Sequence, residues 1–141
     1  MLSNSVHTPL AELSHKIKGE IKYHIMHANT WIKQLGNSTD EAIQKMQSAL
    51  NTAFPYALGI FEASKYEQDL ISDGIFEGEH VLREKWINAI DEILGQTKLI
   101  LPDLAAETVH SGGRYGEHTK HLQPLLSEMN EVFSIDPTAE W

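Results

Sequence analysis

Residues 8–41, TPLAELSHKIKGEIKYHIMHANTWIKQLGNSTDE, carry the pattern that decides the fold. Leu10, Leu13, Ile17, Ile21, Ala28, Trp31 and Leu35 recur at spacings of three, four and seven, which puts them on one stripe of a 3.6-residue helix. Thr8 is a natural cap ahead of Pro9 at the first helical position, so the spacing predicts a helix from about Pro9 to Leu35. Gly36-Asn37 ends it, and Ser38 with Glu41 forms a capping box that opens a second helix. The product is an antiparallel helical hairpin with a very short turn.

Downstream, Ile43, Met46, Leu50, Ala53, Phe54, Ala57, Ile60 and Phe61 form a second stripe, interrupted by Pro55, where the missing N–H predicts a kink. Residues 63–78 are polar, contain Ser72-Asp73-Gly74, and read as a loop with one short helical turn. A third helix is expected from about Glu79 to Leu99, with Leu82, Trp86, Ala89, Ile90, Ile93 and Leu94 inward and Pro102 limiting its extension. An acidic connector and the flexible Gly112-Gly113-Arg114-Tyr115-Gly116 loop precede a fourth, with Leu122, Leu125, Leu126, Met129, Val132 and Phe133. Asp136 to Trp141 reads as an irregular tail, with Trp141 anchoring the tail or a neighbour. The class is all-α, one domain over 1–141, with about four main helices in antiparallel hairpins buried as a bundle.

The 141 residues contain no cysteine, which excludes disulfides, thiolate nucleophiles, zinc-thiolate sites and iron–sulfur clusters. The start lacks the marks of a secretory leader and no apolar run approaches a membrane span, so a soluble cytoplasmic protein without membrane contact is expected. The net charge of −9 is uneven. Residues 1–61 hold five lysines against four acids, whereas residues 62–141 hold six basic residues against 16 acids. Such a surface disfavours nucleic acid. Lys18, Lys22 and Lys33 lie outside the apolar stripe of the first helix, as solvated lysines or as docking residues for an acidic partner or a phosphate.

Glu20 and His24 stand four apart within the first stripe, so carboxylate and imidazole share a face. Di-iron bundle proteins use Glu and His three apart on two helices, with a further Glu from each of two others. Here the second helix offers no inward acid, and Glu84, Asp91, Glu92, Glu128 and Glu131 flank their stripes. A buried hydrogen-bonded pair, in which the carboxylate fixes the imidazole tautomer, is therefore the expected role of Glu20 and His24. The alternative is a metal site drawn from Glu20, His24, His27, His118 and His121, completed by a second copy in a homo-oligomeric oxidase. A third reading is an acyl-CoA-binding module using the basic first helix.

The segments Lys18-Gly19-Glu20-Ile21-Lys22-Tyr23-His24, Leu35-Gly36-Asn37-Ser38-Thr39-Asp40-Glu41, Lys45-Met46-Gln47 and Gly112 to Leu122 occur in an order that resembles the structural C subunits of bacterial ring-1,2-phenylacetyl-CoA epoxidases. Glu128-Met129 and Trp141 extend the resemblance over nearly the whole chain. It implies a ferritin-like helical subunit without a working metal site, not catalytic alone, which supports a catalytic A subunit and other subunits of the complex. In that family the A subunit holds the di-iron centre and the coenzyme A thioester and epoxidises the ring with oxygen and electrons relayed from a reductase. Glu20 and His24 then become a degenerate metal position, and Lys18, Lys22, Arg114, His118 and His121 become interface candidates. The chain matches the second half of such a subunit, which implies that a homo-oligomer covers an otherwise exposed inner face.

Overall fold

Pro9 in the first turn and Asn37 just past the last bound a single uninterrupted helix, α1 (Thr8–Gly36), about 43 Å long. The computed structural model describes residues 2–103 and 109–139; Trp141 and most of the acidic connector lie outside them. Thr8 is the first helical residue rather than the cap, and His7 occupies the cap position without a side-chain bond. At the other end the Asn37 carboxamide donates to the Lys33 carbonyl at 3.0 Å and to the Gln96 carbonyl at 2.9 Å. It thereby satisfies an end-of-helix acceptor and ties α1 to a distant turn.

Three residues later α2 (Asp40–Gly59) begins. Its cap is Thr39, whose hydroxyl accepts from the Ala42 amide at 3.3 Å, so the box expected from Ser38 and Glu41 does not form. Glu41 instead accepts from Lys45 at 2.7 Å, the i,i+4 partner that a carboxylate in the first turn finds on its own helix. α2 passes Pro55 for one more turn, and the Pro55 carbonyl accepts from the His110 amide at 3.2 Å. A short helix, α3 (Glu67–Ser72), interrupts the polar stretch as expected.

α4 (Glu79–Leu94) stops five residues before the expected Leu99. Thr97 is the reason: its hydroxyl donates to the Leu94 carbonyl at 2.8 Å and accepts from the Leu99 amide at 3.0 Å. A threonine that bonds its neighbours' backbone this way offers the chain an alternative to continued helix.

Ile93, Leu94 and Leu99 form the core, packed by Ile32 of α1, Ile43, Met46 and Leu50 of α2, Ile90 and Leu101. Trp86 of α4 lies against Phe54 and Phe61, with ring centroids 5.7 and 5.5 Å away. Gly36 is buried because a Cβ there would sit 2.9 Å from Thr97 Cβ and 3.1 Å from Leu99 Cδ1. Gln47 clamps the segment after Thr97, accepting from the Ile100 amide at 2.8 Å and donating to its carbonyl at 2.9 Å.

The start of α4 is closed from outside. Gly78, at φ 98°, has no side chain to cap it, and the Glu67 carboxylate accepts from the Glu79 amide at 2.8 Å. Both glutamates are buried, and Glu67 Oε2 has no hydrogen-bond partner among the described residues. Nearby, a hydrogen bond from Lys85 holds the pKa of the exposed Glu77 carboxyl at about 2, against an ordinary 4.5. A lowered carboxylate stabilises the fold above the ordinary value and loses that contribution as pH falls toward 2.

The chain divides into two compact units, Met1–His110 and Ser111–Trp141. In the second, a tight turn at Gly113–Tyr115 is flanked by the left-handed Gly112 and Gly116. There α5 (Leu122–Met129) and α6 (Glu131–Ile135) replace the single fourth helix expected from the stripe. Asn130 makes the break, its carboxamide donating to the Leu126 carbonyl at 2.8 Å. Among the described residues the architecture is six α-helices without a strand, the expected all-α class and consistent with part of a ferritin-like bundle.

Glu67→Ala is expected to lower stability by about 1–2 kcal/mol, with Glu67→Gln costing less because its carbonyl keeps the Glu79 bond. Gly36→Ala should cost about 1–3 kcal/mol by overpacking against Thr97 and Leu99. Urea titration followed by far-ultraviolet circular dichroism measures both.

Candidate functional site: the open face of the first helix

From His15 to Ala28 every residue of α1 is exposed. Leu13, Ile17, Ile21, Tyr23, Ile25 and Trp31 are each 45–58% accessible, although four of them belong to the stripe that the sequence assigns to a core. Among the described residues the core cluster is met from α1 by Ile32, and Gly36 lies against Thr97 and Leu99. Helical periodicity marks which residues seek an apolar surface, and among the described residues nothing supplies one for the middle of the helix.

On α1 His24 Nε2 lies 3.0 Å from Glu20 Oε1. Their burial does not follow. The side chains are 73% and 63% exposed, because nothing described packs over this part of α1; a Cβ added at neighbouring Gly19 would meet no atom within 4 Å. An exposed i,i+4 pair stabilises a helix only slightly. His27 continues the row by accepting from Trp31 Nε1 at 3.1 Å, and its ring stacks on Tyr23 at 6.4 Å. Trp31 is thus held along the surface of its own helix rather than in the core, unlike Trp86.

The remaining candidates fall on several elements. Lys18 and Lys22 are exposed on α1. Arg114 sits in the glycine-flanked turn of the second unit, and His118 and His121 precede α5, with His121 at its cap position but making no side-chain cap bond. Among the described residues, no three histidine, aspartate or glutamate side chains are placed to hold a metal ion. Of the alternative set, Glu20, His24 and His27 share α1, and His118 and His121 belong to the second unit. His27 Nε2, a nitrogen that a metal would need, is also engaged by an indole N–H. Sequence reasoning missed the buried Glu67 and Glu79; both fall at the edges of a polar stretch without periodicity, so no pattern signalled them.

An all-helical chain whose longest helix is packed at its ends and exposed from His15 to Ala28 defines a class, part of a helical bundle. Comparison with known proteins identifies it further. The chain belongs to the phenylacetic acid catabolic protein family, whose family model matches residues 1–141. It is 32% identical over 132 residues to the C subunit of the 1,2-phenylacetyl-CoA epoxidase of Escherichia coli (strain K12). That match covers 94% of this chain and 52% of the relative, so the chain spans about half the length of the curated protein it matches. Among the described residues no helix is long and apolar enough to cross a membrane.

Because the Glu20–His24 pair is solvated, His24→Ala is expected to cost no more than about 0.5 kcal/mol. A loss of about 2 kcal/mol or more in the same urea titration would mean that the pair is buried in solution.

Proposed function

We propose that this chain is a noncatalytic subunit of a multicomponent phenylacetyl-CoA monooxygenase, supporting the di-iron catalytic subunit in ring epoxidation during phenylacetate breakdown in the cytoplasm. The observation that carries this reading is the match of nearly the whole chain to a relative that is the C subunit of such an epoxidase. The side chains on α1 agree with it. Helices that hold a di-iron centre with both Glu and His carry them three apart and inward, whereas on α1 Glu20 and His24 are four apart and solvated. The residues present do not fit that centre, and the chain's contribution is by packing and docking.

On this reading Lys18, Lys22, Arg114, His118 and His121 contact the catalytic subunit, and the complex includes further subunits. Lys18 and Lys22 lie beside the apolar stripe rather than in it, so their charges stay available to an acidic partner surface. The chain itself acts as a homo-oligomer, since half-exposed apolar residues along a helix this long need cover.

Co-expression with the catalytic subunit of the same system is expected to give a complex that co-elutes on size exclusion, and Lys18→Glu with Lys22→Glu should weaken it by about tenfold. Separate elution of the two chains at all concentrations would overturn the reading. Elemental analysis of the purified chain is expected to find no stoichiometric iron. Iron in stoichiometric amount, lost in His24→Ala, would replace the proposal with a self-sufficient oxidase.

A further inference from the structure

We draw no further inference here: the strongest candidate, the buried Glu67 carboxylate at the start of α4, whose Oε2 has no hydrogen-bond partner among the described residues, belongs to the cap on the Glu79 amide already described, and no second observation points to a ligand there.

Discussion

One junction organises the first 110 residues: the point where Gly36 and Asn37 close α1 against the turn that follows α4. The absence of a side chain at Gly36 lets Thr97 and Leu99 approach to contact distance, and the Lys98 amide donates to the Gly36 carbonyl at 3.0 Å. Asn37 spans the same gap from the other side by bonding both Lys33 and Gln96. With these contacts made, Leu99 joins the cluster against which Ile43, Met46, Leu50 and Leu101 pack, and Gln47 locks the extended segment in place. No other residue type serves as well at position 36, since any Cβ would press α1 away from the core it helps to close.

The position of that junction has a functional consequence. The core gathers at the end of α1, so the helix is anchored by its last turns while its middle stands in water. A helix held at one end by packing and continued by its own hydrogen bonds is a preorganised surface, which lowers the conformational cost of association. The same arrangement shows how residues that match half of a longer relative can fold around a local core.

Much of this was legible in the residues. The short turn at Gly36-Asn37, the all-helical class and the packing of Trp86 follow from periodicity and end signals that act locally. The missed boundaries share one cause: a polar side chain bonding the backbone where the apolar stripe continues. Thr97 ends α4 early and Asn130 divides α5 from α6 in this way, and an apolar pattern does not register either. Glu67 is a harder case, because its partner is the amide of a residue 12 positions on, and only the fold brings the two together. The exposure of Glu20 and His24 was illegible for a different reason. An amphipathic stripe says that a helix seeks an apolar surface but not whether its own chain provides one.

That last distinction gives the Glu20–His24 pair its meaning. Inside a self-contained bundle, an acid and an imidazole at the centre of an apolar stripe cost desolvation that leucines would avoid. On an exposed face the balance changes, because an unbroken row of Leu and Ile would adhere in either direction and to any similar surface. Polar groups within an apolar face weaken its adhesion but make it selective for a surface that matches them. Within α1 Glu20 and His24 already pair with each other at 3.0 Å, so neither is left unmatched in water.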